Sequence, residues 1–325
     1  MENSTHIISF ILTDYGETGS LKYLYFIILL MLYIIIISFN VLILAVVYME
    51  RSLHRPMFFF ICSLAVNGLY GSTGLFPAVL VNLLSDIHEI PRVGCFLQIF
   101  CLHSYGCCEY TNLAVMGYDR YVSICHPLHY HKIMSHSRVF KLILFTWLFS
   151  LGTFTITVML TVQLEFCGRI IEKIVCANYS LVKLACRDMT LYNISGTLSI
   201  FFSIIPQMLL ICYSYANILK ICMKSSKESQ AKALNTCSPH LIVLVNFLFG
   251  CLFELIQIRF NMSHVHRVVR IILSVYFLIF PPLMNPIIYG IRTKAIRQTI
   301  KKMLKLNEKR SSNAVQKKDT SVCNT

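Results

Sequence analysis

MGYDRYVSICHPLHY, residues 116–130, sets Asp119 and Arg120 between two apolar runs. Taking such charges out of water costs several kcal/mol each unless they pair or reach a membrane edge. Upstream, 93–116 holds a single charged residue, Glu109. Six further blocks of the same kind flank it: 24–48, 57–84, 142–163, 189–219, 241–258 and 271–291. Glu254 is the only charge within these six. Each is near the length of about 20 residues that spans a hydrocarbon core as a helix. The chain of 325 residues is 56% hydrophobic and 14% charged, against roughly 25% charged in soluble domains. Seven such blocks in series predict an all-α membrane protein, a bundle of seven transmembrane helices.

Twenty of the 29 Lys and Arg residues fall in 49–56, 117–141, 220–240 and after 291. By the positive-inside rule these segments are cytoplasmic, so the N-terminus is outside and the C-terminus inside. The basic balance is therefore a topology signal and not a nucleic-acid footprint. Three parts follow: an extracellular tail (1–23), a seven-span domain (24–291) and a cytoplasmic tail (292–325). Residues 1–20 are polar and acidic, which leaves the first span to act as its own anchor. In 292–325, Ala295, Ile296, Ile300, Met303 and Leu304 keep helical spacing with Arg297, Lys301, Lys302 and Lys305 on the other faces. That pattern is a short amphipathic helix on the inner leaflet, followed by a polar, disordered end.

Asn3 opens a glycosylation sequon on the outer tail, and others begin at Asn178, Asn193 and Asn261. Of 14 cysteines, four fall on the oxidising side: Cys95, Cys167, Cys176 and Cys186. Two disulfides with three possible connectivities follow. His126, His129, His131 and His136 gather in the second inner loop, but no carboxylate or Cys completes a tetrahedral metal set there. No nucleotide loop, zinc-protease motif or nucleophile elbow is present, so neither an enzyme nor a cofactor is expected. A transporter would show inverted repeats with broken helices in matching positions, and none is seen.

Asp-Arg-Tyr at 119–121 and Asn285-Pro286-Ile287-Ile288-Tyr289 in the last span resemble the rhodopsin-like G-protein-coupled receptors. MGYDRYVSICHPLHY, HRPMFFFICSL (54–64), Ser214-Tyr215, KALNTCSPH (232–240) and PPLMNPIIYGIR (281–292) stand in the order found in olfactory receptors. Asn67-Gly68-Leu69-Tyr70-Gly71 is similar to the fish-like class of that family. The resemblance implies an odorant-activated receptor of the plasma membrane, in sensory cilia. It would bind a small molecule in the outer half of the bundle and raise cyclic AMP through a stimulatory G protein. A metabolite sensor of the same fold outside the nose is the alternative, and a channel or transporter a more distant one.

Residue roles follow from the same likeness. Cys95 would pair with Cys176, and Cys167 with Cys186. Asp119, Arg120, Tyr121, Tyr215, His240, Asn285, Pro286 and Tyr289 would form the G-protein-coupling end; as bare sequence, Arg120 is equally a positive-inside anchor. On the third span His103, Gly106, Cys107 and Tyr110 share a face by helical spacing. The likeness gives the first three pocket roles, with Tyr179, Phe202, Glu254, Leu255 and Arg259, and packing is the plainer role for Tyr110. Arg259 would clamp a polar or anionic odorant, or anchor the helix at the interface. Glu109 is the stranded charge. Related receptors hold sodium between such a carboxylate and an Asp in span two, but that position is Gly68 here. Glu109 then either is protonated, holds a cation, or pairs with Asn67, Asn40 or Asn285.

Overall fold

Continuous apolar sequence without water leaves the backbone only its own carbonyls to bond, and the chain answers with long helices. The computed structural model describes residues 7–16, 19–186, 190–259, 265, 267–303 and 305. Seven long helices form: α1 (Leu21–Met49), α2 (Pro56–Leu84), α3 (Arg92–Cys125), α5 (His136–Val162), α7 (Thr190–Met223), α8 (Lys227–Arg259) and α9 (Arg267–Arg292). Two short ones, α4 (Tyr130–Ile133) and α6 (Asn178–Val182), lie in connecting loops. Among the described residues, α1, α2, α5 and parts of α7 and α8 are long and apolar enough to cross a membrane unaided. Helix α3 is more polar because it runs through the middle, packed on α2, α5, α7 and α8. Its charged and amide side chains meet protein, not lipid.

Local sequence sets the ends. Pro56 starts α2, where a missing N–H costs nothing. Helices α3, α7 and α8 outrun the apolar blocks: α3 continues to Cys125, and α7 and α8 are separated only by 224–226. Their polar extensions stand beyond the hydrocarbon, where an apolar-run count cannot see them. Along α5 the hydroxyls of Thr146, Ser150, Thr157 and Thr161 each donate to the carbonyl four residues back, at 2.7–3.1 Å. This hides polar side chains inside an apolar span.

The outer end carries a small sheet that no pattern in the chain announces. Strand β1 (Ser9–Leu12), from the supposed tail, lies between β2 (Glu89–Pro91) and β3 (Ile170–Ile171). It is antiparallel to β2, with Phe10 opposite Ile90, and parallel to β3, with Ile11 opposite Ile170. Phe10 and Leu12 alternate inward and are buried. The Phe10 ring meets Phe166 edge-to-face at 5.4 Å. A four-residue strand is too short to show periodicity.

Two apolar clusters fill the bundle. The outer one joins β1 and the long outer loop to α2 and α3. The inner one gathers residues such as Phe60, Leu113, Met116, Val243 and Tyr289. Ile296, in the helical stretch after Thr293, is fully buried against the inner cluster. The amphipathic helix thus packs its apolar face on the bundle. Leu304 and the disordered end expected over 311–325 lie outside the described residues, as does Asn3.

Candidate functional site

At the inner end Arg120 turns back along α3. Its Nε donates to Asp119 Oδ2 at 3.1 Å, and its Nη2 contacts the same oxygen. The Tyr130 hydroxyl, from α4, donates to Asp119 Oδ1 at 2.8 Å. Successive residues on a helix point apart, but the arginine stem is long enough to close that angle. Asp119 is fully buried and Arg120 nearly so, so the pair is held inside the protein instead of snorkelling to the interface. Burial, and then the Asp119 carboxylate, push the Tyr130 hydroxyl above its usual pKa, which keeps it a donor.

A second link ties three helices through one imidazole. Two hydrogen bonds fix the tautomer of His240 (α8). Nε2 donates to the Leu113 carbonyl (α3) at 2.9 Å, and Nδ1 accepts from the Tyr215 hydroxyl (α7). The Tyr215 ring stacks on the imidazole, 9° from parallel. Gly117 borders this link: a Cβ there would meet His240 Cε1 at 3.6 Å and Tyr215 Cε2 at 3.7 Å, ordinary van der Waals contact. Tyr289 is buried with its hydroxyl 4.0 Å from Met116 Sδ. Tyr121 turns outward to His126 and Tyr213, away from both links.

Halfway up, Glu109 is fully buried. Each of its oxygens takes one amide donor: Asn67 Nδ2 at 2.8 Å and Asn285 Nδ2 at 2.5 Å. Asn40 does not reach it. Its amide binds the carbonyls of Ile36 and Pro282, both at 2.8 Å, and so joins α1 to α9. A Cβ at Gly68 would stand 3.2 Å from Asn40 Oδ1 and 3.2 Å from the Pro282 Cβ, so these two occupy the room an Asp would need. The carboxamide oxygens of Asn40, Asn67 and Asn285 have no hydrogen-bond partner. As hard oxygen donors beside a carboxylate they suit a cation. The carboxylate itself, however, is already met by two N–H groups. Pro286 sits next to Asn285 within α9, where it frees backbone carbonyls.

In the outer half the expected pocket residues separate. His103 Nδ1 donates to the Ile99 carbonyl at 2.9 Å, and its ring lies 5.5 Å from Phe154 of α5. Gly106 faces α9, where Phe277 Cε2 would be 3.7 Å from an added Cβ. Cys107 is buried towards α5 and α7. Tyr110 packs on Phe247 and donates to Met208 Sδ at 3.5 Å, a core role. These positions form an arc facing three helices, since helical spacing distributes them around α3.

Two of the expected pocket residues stand apart from the others. Phe202 is 60% exposed, edge-on to Phe201 on the outside of α7. On the inward side of α7 stand Ser203 and Gln207, one helical turn apart and both buried. Tyr179 is 40% exposed in α6, with the Lys183 ammonium 4.4 Å from its ring centre; a cation on its face marks an outer surface. Gln207 Nε2 donates to Thr111 Oγ1 at 3.2 Å, leaving Gln207 Oε1 without a partner. Ser203 Oγ has only the weakly bonding Cys107 thiol near it. Sequence reasoning missed this pair; two polar residues four apart in an apolar run are the signal that could have found it. Glu254, Leu255 and Arg259 lie on α8, but their side chains are outside the described residues.

Disulfides Cys95–Cys176 and Cys167–Cys186 close as the resemblance implied. The first pins the outer loop to the top of α3, and the second folds that loop on itself.

A family model described as "Olfactory receptor" matches residues 29–307. Human olfactory receptor 51L1 is 36% identical over 267 residues, 82% of this chain and 84% of the relative. Human olfactory receptor 4S2 is 33% identical over 304 residues, 93% and 96% of the two chains. The crystal structure of squid rhodopsin shares the fold, with a TM-score of 0.73 at 18% identity, covering 93% of this chain and 91% of that one.

Proposed function

This multi-pass membrane protein belongs to the olfactory receptor family, and on that premise we propose that it is an odorant-activated receptor coupled to a stimulatory G protein. As a receptor of this family it is not an enzyme. The ligand occupies the outer half of the bundle between α3, α7 and α8. Its arrival shifts an existing two-state equilibrium in which the inner ends of these helices part. The observation that carries this reading is the single imidazole of His240, which joins α3, α7 and α8 by two hydrogen bonds. An outward swing of α8 breaks both at once and exposes Arg120 to the partner.

The ligand is a small polar molecule. Gln207 Oε1 and Ser203 Oγ offer it unspent hydrogen-bonding capacity in an otherwise apolar cleft. Arg259, the last residue of α8, selects anions. The chain sits in the plasma membrane of sensory cilia with its N-terminus outside.

The test is cyclic AMP production by cells expressing the full chain, challenged with acids, amines, amino acids and aldehydes. A response that Gln207→Ala weakens at least tenfold is expected, with acid responses selectively lost in Arg259→Ala. Ligand-gated current without a G protein would overturn the receptor reading. Acid responses untouched by Arg259→Ala would overturn the anionic clamp alone.

A further inference from the structure

A cavity of about 580 Å³ lies away from this cleft, between α1, α2 and α9. Its floor is deeply buried, with Leu75 and Phe76 each 1% exposed. The two side walls are not. Ile28 on α1 is 51% exposed and Ile272 on α9 is 56% exposed, so the cavity opens sideways between α1 and α9, where lipid would lie. Towards water it is roofed. Tyr15 and Ile174 line its top, and the Tyr15 hydroxyl donates to the Ile174 carbonyl at 2.9 Å. The Tyr15 ring stacks on His88 at 4.7 Å, and the three-stranded sheet lies beside it.

The lining chemistry limits the occupant. Asp14 at the rim is the one charged side chain among the lining residues, and aliphatic and aromatic groups make up nearly all the rest. Of the three lining tyrosine hydroxyls, that of Tyr15 is spent on Ile174 and that of Tyr276 on Asn246 Oδ1 at 2.6 Å, which leaves that of Tyr25, a residue 41% exposed on α1. Little remains to reward a polar ligand, and burying one there would cost its hydration. A volume of this size fits one small molecule. A phospholipid is a poor tenant, because the roof stands where its headgroup must meet water.

We infer that this cavity is a second binding site, for an uncharged hydrocarbon-rich small molecule that enters from the bilayer between α1 and α9. It is a route and a site distinct from the polar cleft. Its occupant also has a handle on the moving part. Tyr276 lines the cavity and hydrogen-bonds Asn246 of α8, so a molecule pressing on that ring bears on the position of α8. A hydrophobic odorant or a bilayer-dissolved modulator thereby tunes the response to the polar ligand.

The experiment uses the full chain in lipid nanodiscs with a dodecane probe carrying a diazirine and a terminal alkyne. After illumination, labelled peptides are mapped. Label concentrated on 21–30 of α1 and 271–280 of α9, and competed by excess unlabelled dodecane, is expected. Ile28→Trp fills the mouth from a half-exposed position that tolerates bulk, and should cut that labelling at least fivefold. Val79→Phe, deeper in, is the second variant. Gln207→Ala should leave the labelling unchanged, since it acts on the other site. Label spread evenly over the lipid-facing sides of α5 and α7 would overturn the proposal. So would labelling that neither filling variant reduces, or competition by phospholipid but not by dodecane.

Discussion

The two ends of this bundle are held in different ways. The outer end is fastened by two disulfides and by a sheet drawn from three distant parts of the chain. The inner end is held by a handful of hydrogen bonds: Arg120 and Tyr130 on Asp119, Tyr215 and Leu113 on His240, and Lys302 on Glu50. Covalent bonds do not exchange on the timescale of signalling, whereas a hydrogen bond of net value about 1 kcal/mol does. Under the function proposed above, this build keeps the ligand-facing end in register and lets the other end move.

The largest effect should come from cutting the fixed end. Cys95→Ser releases a bond that closes a separation of 81 residues, a change worth about 2–5 kcal/mol in comparable cases. Surface expression, followed by flow cytometry, should fall at least tenfold; near-normal expression would erase the contrast between the ends. Next is Arg120→Ala, for which ligand-stimulated cyclic AMP should vanish while surface level stays within twofold. A parallel loss of both would make Arg120 a folding residue and not an output residue.

His240→Ala sharpens the comparison further. Losing a link worth about 1 kcal/mol shifts a two-state population roughly fivefold, so basal cyclic AMP should rise three- to fivefold. An unchanged basal level would mean that the link does not hold the resting state. The smallest effect belongs to Glu50, whose carboxyl is held below its usual range by the hydrogen bond from Lys302. A lowered folded-state pKa means the contribution is complete above the unfolded value and fades as pH falls through the lowered one. At cytoplasmic pH it is therefore constant, and Lys302→Ala should leave signalling unchanged within error. A clear change would place the helix after Thr293 in the moving part.

The seven helices were plain in the sequence because a hydrocarbon solvent demands long uncharged runs. Polar neighbours inside the bundle were harder. The sequence offered Asn67, Asn40 and Asn285 as equal partners for Glu109, and only packing separates them: Asn40 is spent joining α1 to α9. The outward turn of Phe202 was equally hidden, since both Phe202 and Ser203 suit a span and one helical step decides which faces the cleft. The cavity between α1 and α9 has no sequence signature at all, being a gap between residues far apart in the chain. The resemblance supplied the disulfide pairing, where Cys spacing alone left three choices open.

The place of β1 in its sheet bears on the order in which the protein is made. The strand precedes every helix in the chain, yet its contacts bridge 80 residues from Ser9 to Glu89 and 159 from Leu12 to Ile171. It must wait while four helices, α1, α2, α3 and α5, are threaded into the membrane. Until the outer loop arrives, Phe10 and Leu12 have nothing to cover them, and they stand as a hydrophobic signal that folding is unfinished. Seating β1 thus requires that β2 and β3, and the spans between them, are already in place.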